Sequence, residues 1–202
     1  MRKVWQQLTT SPRLKWYLIA FFIYSMGVQT VMLVATYFGE QEIQWTSAEE
    51  STIGLIVSVL IIQLVAIAGA RLTVIAVRKW GNIEVLIALN AIWVGICLLS
   101  YYVYKPMQFY IIATLVGLVM GGIQTLSRST YSAYLPDTKD TTSFFSFYDV
   151  TEKIGIVIGM GVYGLIDQFT NNMRNATVSL IIFFGLGIIL LFKTNKQQVT
   201  NN

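Results

Sequence analysis

Histidine is absent from the sequence, and cysteine occurs only once, at Cys97. The missing imidazole removes the usual general base, the commonest neutral metal ligand and the usual switch near neutral pH. Histidine-dependent hydrolases and zinc enzymes are therefore excluded, and we expect no enzymatic activity, cofactor or metal site. A single cysteine also excludes a disulfide within the chain.

Charge is scarce as well. Charged residues make up 12% of the 202 residues, whereas an ordinary soluble domain carries about 25%. Hydrophobic residues make up 55%, and the mean hydropathy is +0.62. A soluble domain of this size cannot hide six separate apolar runs of about twenty residues, so we expect the lipid bilayer to act as the solvent. The predicted fold is an all-α transmembrane bundle whose spans comprise residues 16–38, 52–77, 83–104, 107–126, 144–166 and 175–192.

The basic residues lie mostly at one set of span ends, and only Lys105 and Arg174 flank the opposite ends. Since positively charged loops stay in the cytoplasm, both termini are predicted to be cytoplasmic. The acidic loop with Glu40 and Glu49 would then face outward. Because the basic residues end apolar runs instead of covering one polar face, no nucleic-acid partner is expected.

Ionisable residues gather near the predicted cytoplasmic ends of the fourth and fifth spans: Arg128, Asp149, Glu152 and Lys153. Charges at membrane depth are costly, and they therefore indicate function. Asp149 and Lys153 have the i,i+4 spacing of a helical ion pair, while Arg128 can reach Asp149 or Glu152 across the bundle. The cluster is predicted to be either a cytoplasmic gate or an ion pair that merely anchors two helix ends.

Uncharged polar residues inside the spans are the candidates for a cavity lining. We select Tyr24, Gln29 and Gln124, since these side chains can hydrogen-bond a solute. The alternative is that they hydrogen-bond only one another. A dense group of glycines in the fourth and fifth spans permits either close static packing or helix movement; it comprises Gly117, Gly121, Gly122, Gly155, Gly159, Gly161 and Gly164.

Three stretches resemble a known family. Residues 121–129, GGIQTLSRS, and residues 147–155, FYDVTEKIG, resemble the major facilitator superfamily. More narrowly, they resemble the bacterial branch related to the vacuolar amino-acid effluxers of yeast autophagy. Residues 24–30, YSMGVQT, resemble the seventh helix of that branch. All six spans match in order, and the match is to the carboxy-terminal half of a twelve-helix carrier.

The resemblance implies a six-helix bundle equal to one half of such a carrier, which works as two bundles around a midplane site. It implies a secondary transporter of a small solute, with amino-acid efflux as the activity, in a bacterial cytoplasmic (inner) membrane. The partners would be the lipid bilayer, the solute, and either an amino-terminal six-helix bundle or a second copy of the chain. Residues 1–15 would be a central-loop remnant, residues 16–192 the bundle and residues 193–202 a cytoplasmic polar tail, so we expect a fragment and not a complete protein.

In this interpretation Tyr24, Gln29 and Gln124 line the solute cavity, and the cytoplasmic gate is formed by Arg128, Asp149, Glu152 and Lys153.

The sequence departs from the family pattern at three positions. Many relatives carry Asn-Asp where this chain has Ser25 and Met26, and Arg78 stands at the aspartate position of the superfamily's loop motif. These changes motivate a second hypothesis, a truncated, non-transporting fragment or membrane interaction scaffold. An intramembrane hydrolase that uses Ser127 or Ser129 is weaker because no histidine is present, and a water channel lacks its half-helix motifs.

Overall fold

The structure is a computed structural model that describes residues 12–135 and 141–200, with side chains to Asn195. The described residues form seven helices: α1 (Pro12–Glu42), α2 (Ala48–Trp80), α3 (Asn82–Ser100), α4 (Pro106–Tyr134), α5 (Thr141–Thr170), α6 (Met173–Ser179) and α7 (Ile181–Thr200). Leu180, between the last two, keeps a right-handed helical backbone, so α6 and α7 continue one another. The all-α prediction is confirmed.

Within the described part of the chain, five helical segments are long and apolar enough to cross a membrane: α1, α2, α3, α4 and the α6–α7 segment Met173–Asn195. The remaining long helix, α5, has 30 residues but carries four charged side chains along its length. Its apolar stretch is interrupted by Asp149, Glu152 and Lys153 near the start and by Asp167 near the end. The fifth predicted span, residues 144–166, is therefore a long helix of the bundle, although it is more polar than the other five.

Local sequence explains where the helices begin and end. Ser47 caps the start of α2, where its side chain accepts a hydrogen bond from the Glu50 backbone N–H at 3.2 Å. Gly81 separates α2 from α3 with a φ of 91°, a conformation that side chains rarely allow. Pro106 occupies the first turn of α4. Backbone N–H groups there have no partner within the helix, so the absence of an N–H in proline costs no helical hydrogen bond.

The helices pack around α1, which contacts α5, α7 and, less extensively, α4. By contrast, α2 packs almost entirely on α4. Its other faces carry large apolar side chains that are more than half exposed, as expected for contact with lipid or another helical bundle; they include Ile53, Ile56, Leu60, Leu64, Ile67, Leu72 and Ile75.

Glycines bring the backbones of α2 and α4 together. A Cβ at Gly117 would lie 2.7 Å from the Ile62 carbonyl oxygen, and one at Gly121 would overlap the Ala66 carbonyl. Gly69 faces the Leu118 carbonyl in the same way from the other helix. This is the small-residue packing known from membrane helices, so at this interface the glycines permit close helix packing.

The glycines of α5 lie in different surroundings. Gly159 of α5 lies against Thr30 and the Met26 backbone of α1, whereas no atom lies within 4 Å of a Cβ built at Gly161 or Gly164. The glycine-rich stretch of α5 therefore faces two directions, one into the bundle and one outward.

Two predicted boundaries differ from the helices or fall beyond them. The predicted basic segment 1–15 lies largely outside the described residues, and its last residues from Pro12 onward begin α1. The predicted polar tail begins at residue 193, but α7 continues to Thr200.

Candidate functional site

A groove of about 740 Å³ lies between α1, α4 and α5. It extends from the middle of α1 to the end of α4 and the start of α5. This is the end of the bundle where Arg13 of α1 meets Tyr134 of α4, through a 2.9 Å hydrogen bond. Its walls are formed by Phe21, Tyr24, Ser25, Val28, Gln29, Ile123, Gln124, Thr125, Ser127, Arg128, Ser129, Ser132, Phe145, Tyr148 and Glu152.

Tyr24 belongs to a buried hydrogen-bonded group that joins α1 to α4. Its hydroxyl lies 2.6 Å from the Ser127 hydroxyl, and either can be the donor. Two turns earlier on α1, the Tyr17 hydroxyl donates to the Ser127 carbonyl, also at 2.6 Å. Because Tyr24 is only 1% exposed, it supports the floor of the groove more than it projects into it.

Gln29 and Glu152 face each other across the groove. The Gln29 Nε2 amide donates a hydrogen bond to the Glu152 carboxylate, and this contact joins the middle of α1 to α5. Both side chains are half-buried. The sequence selected these two residues for different roles, one in the cavity and one in the gate, and the structure brings them into direct contact.

An ion pair lies at the mouth of the groove. The Arg128 guanidinium donates to Asp149 Oδ1 at 2.6 Å, and the two side chains are 57% and 52% exposed. The sequence allowed Arg128 to reach either Asp149 or Glu152, and the contact formed is with Asp149. Arg128 also lies 5.6 Å from the ring centroid of Tyr148.

Lys153 lies apart from this arrangement. It is exposed on α5 and is not among the residues of the groove wall. The i,i+4 pair with Asp149 that its spacing predicts is not among the ion pairs of the described residues, because Asp149 faces Arg128 instead.

Gln124 lies on the exposed side of the groove. With Thr125, Ser129 and Ser132, it forms a polar strip along one face of α4. The hydroxyl of Thr125 donates a hydrogen bond to the Gly121 carbonyl of its own helix, at 2.8 Å. The strip carries no formal charge, so it can hydrogen-bond a solute without selecting one sign of charge.

Sequence reasoning selected Tyr24 but missed the other aromatic residues of the groove wall, Phe21, Phe145 and Tyr148. Phe21 and Tyr148 stack with ring centroids 4.1 Å apart, and the rings of Phe21 and Tyr24 are nearly perpendicular, with centroids 5.7 Å apart. The available signal was the i,i+3 spacing of aromatic residues on α1 and again in Phe145 and Tyr148 of α5. That spacing indicates one helical face but not what the face meets.

A second buried polar centre lies at the opposite end of the bundle. Arg174 of α6 is 5% exposed and pairs with Glu42 at 2.7 Å. Its guanidinium also donates to the carbonyls of Glu42, Tyr101 and Val103 at 2.7 to 2.9 Å, and it lies 4.0 Å from the centroid of the Tyr104 ring. Sequence analysis treated Arg174 only as a topology signal, because nothing local indicates partners so distant along the chain.

One of the positions that depart from the family pattern, Ser25, lies in the groove wall. The other two lie off it: Met26 is buried at 6% exposure on α1, and Arg78 is exposed near the end of α2. Within residues 12–135 and 141–200, no group of three or more metal-binding side chains comes together. The groove offers hydroxyls, amides, one ion pair and one carboxylate, which are groups that bind a polar solute.

Fold and groove together define a polytopic α-helical integral membrane protein with a polar cleft inside its bundle. Residues 1–202 match the family described as "Vacuole effluxer Atg22 like". The chain therefore belongs to this family.

Individual relatives agree with the family match. The chain is 28% identical to the "Uncharacterized MFS-type transporter YxiO" of Bacillus subtilis, over 92% of this chain and 42% of the relative. It is 28% identical to "Autophagy-related protein 22" of Yarrowia lipolytica over 90% of this chain and 32% of the relative. For the Pichia angusta protein of the same name the identity is 29%, over 83% and 31%. The chain thus spans less than half the length of these curated relatives.

Proposed function

We propose that this chain is the carboxy-terminal six-helix bundle of a secondary active transporter for a small solute, with amino-acid efflux as its activity. The polar groove carries the proposal: a cleft between three membrane helices, open near one end of the bundle, is what one half of a two-bundle carrier needs. Family membership supports the same conclusion. The partial coverage of the relatives supports the assignment as one half.

In this proposal Tyr24, Gln29 and Gln124 contact or position the solute. The exposed pair of Arg128 and Asp149 is the cytoplasmic gate. An exposed ion pair contributes only about 0–1 kcal/mol, so it can break and reform as the bundles rock. Glu152 and Lys153 belong to the same gate region, since both lie within one turn of Asp149 on α5.

The proposed location is a bacterial cytoplasmic membrane, with both termini in the cytoplasm. The groove mouth then opens toward the cytoplasm, because it lies at the end of the bundle that carries Arg13 and Arg128. The second bundle is an amino-terminal six-helix unit; a second copy of this chain is the alternative.

The test is a transport assay in liposomes with a mixture of radiolabelled amino acids. One preparation contains the chain alone, the other the chain together with any protein segment encoded upstream of Met1, and empty liposomes are the control. We expect uptake only with the longer product. Equal transport by the short chain would overturn the half-carrier assignment in favour of a homodimer, and a folded longer product that moves no solute would favour the non-transporting scaffold.

A further inference from the structure

The charges around the groove do not balance. Arg128 and Asp149 neutralise each other at the mouth through their 2.6 Å contact. Glu152, deeper in the groove, is hydrogen-bonded to the neutral amide of Gln29, and no ion pair among the described residues includes it. The interior of the groove therefore presents one carboxylate without a compensating cation.

A half-buried carboxylate is costly to leave without a positive partner, because burial removes part of its hydration. The Gln29 amide offsets only part of this cost, since it brings a dipole and not a charge. A cationic group that entered the groove would gain the full interaction with Glu152. The groove is thus suited to bind a cation beside Glu152.

The walls beside Glu152 favour an organic cation. Phe21, Tyr24 and Tyr148 border the groove as one packed aromatic cluster, 1–3% exposed, with centroid distances of 4.1 Å and 5.7 Å between neighbouring rings. The part of this cluster that borders the groove provides an apolar surface for the carbon skeleton that carries the ammonium group.

We propose that the groove recognises the ammonium group of its solute and that Glu152 is the residue that accepts it, with the Gln29 amide displaced from the carboxylate. This inference rests on the proposed function and adds which chemical group of the solute the groove recognises. The solute class is organic amines, including amino acids, whose ammonium nitrogen binds beside Glu152 while the carbon skeleton lies on the aromatic wall.

A second consequence follows from the gate pair. The guanidinium that could bind a solute carboxylate, that of Arg128, is already neutralised by Asp149. The described residues of the groove therefore recognise the ammonium group of the solute and not its carboxylate. An amino acid amide should bind as well as the amino acid, and a carboxylic acid of the same shape should not bind.

The test measures binding by isothermal titration calorimetry to the purified longer product in lipid nanodiscs. Four probes share a phenylethyl group: L-phenylalanine, L-phenylalaninamide, phenethylamine and 3-phenylpropanoate. We expect the three amines to bind within about tenfold of one another and the acid to bind at least about tenfold more weakly. Equal binding of 3-phenylpropanoate would overturn the proposal, and this arm requires no mutant.

The matched variant is Glu152→Gln, which keeps the size and hydrogen-bonding capacity of the side chain but removes its charge. We expect the affinity for all three amines to fall about tenfold or more. The control is Glu40→Gln, an exposed carboxylate near the other end of α1, which should leave the affinity unchanged. Unchanged amine binding in folded Glu152→Gln protein would also overturn the proposal.

The same probes separate this inference from the transport proposal. Passage of 3-phenylpropanoate through liposomes, without passage of the amines, would support transport and overturn ammonium recognition. Tight amine binding without passage of any probe would support the ammonium site and count against transport.

Discussion

Arg128 and Glu152 carry opposite charges at one groove, yet each binds a different partner. Arg128 lies against Asp149 at 2.6 Å, and Glu152 lies against Gln29. The sequence predicted a cluster of ionisable residues at this position because charges at membrane depth indicate function. It did not predict the pairing, since side-chain contacts across a bundle depend on helix rotation and tilt as well as on sequence position.

The gate pair gives a prediction for a charge exchange. Arg128→Asp alone places two acidic side chains opposite each other, so it should lower the transport rate by about fivefold or more. Adding Asp149→Arg restores opposite charges and should recover most of the rate. Uptake by the longer product in liposomes measures both variants.

The control for this exchange is Lys79→Ala, which removes an exposed cation from the last turn of α2, away from the groove. If the double variant remains as impaired as Arg128→Asp, the two residues do not act as a pair. The expected effect on stability is only about 0–1 kcal/mol, because both side chains are more than half exposed.

Arg174 gives a contrasting prediction at the same scale, because it is buried. Arg174→Gln leaves Glu42 and several backbone carbonyls without their donor, which should lower the free energy of unfolding by about 3–5 kcal/mol. Thermal unfolding in detergent measures the loss. Arg71→Gln, which changes an exposed arginine of α2, is the control and should have little effect. A melting temperature equal to that of wild type for Arg174→Gln would contradict the structural role.

Entire helices were easier to predict than contacts between residues. Their apolar runs are long, and the signals between them, such as Gly81 and Pro106, stop or start a helix for local reasons. The least clear span was α5, whose charged residues reduce its hydropathy. Local sequence predicted the existence of α5 and allowed its acidic residues to meet Arg128 of α4, but it did not predict the contact of Glu152 with Gln29 of α1.

The close contact of α2 and α4 gives a prediction for a helix interface. Gly117→Ala places a Cβ 2.7 Å from the Ile62 carbonyl, and since backbone cannot move aside cheaply, stability should fall by about 1–3 kcal/mol. The matched control is Gly164→Ala on α5, where no atom lies within 4 Å of the added Cβ. Thermal unfolding measures the stability of both variants, and an equal loss of stability at the two positions would contradict close packing.

At the scale of the whole molecule, the groove and the Arg174 centre lie toward opposite ends of the bundle. The groove lies where α4 ends and α5 begins, whereas Arg174 joins the end of α1 to the α3–α4 connection. Three helix ends are tied together at the Arg174 end. Movement during transport is thus expected to displace this bundle as a unit, with the groove end opening and closing against its partner.

The proposed orientation can be tested by cysteine labelling, because the single native Cys97 is only 1% exposed. In intact cells, a membrane-impermeant maleimide should label Glu40→Cys but not Ser132→Cys. Inverted vesicles should reverse the result. The unmodified protein is the control and should remain unlabelled in both preparations, and labelling of Ser132→Cys in intact cells would reverse the predicted orientation.

Composition and the spacing of apolar runs determined that this protein lies in the lipid bilayer and where its helices lie in the sequence. They could do so because each membrane helix satisfies its backbone hydrogen bonds within one segment. The sequence also indicated five of the polar residues that line the groove, namely Tyr24, Gln29, Gln124, Arg128 and Glu152. Only the tertiary structure decided which of these residues meet: Gln29 and Glu152 are 123 positions apart, and Arg174 and Glu42 are 132. Such contacts depend on how helices pack and rotate against one another, and those angles follow from the whole set of side chains at the interfaces.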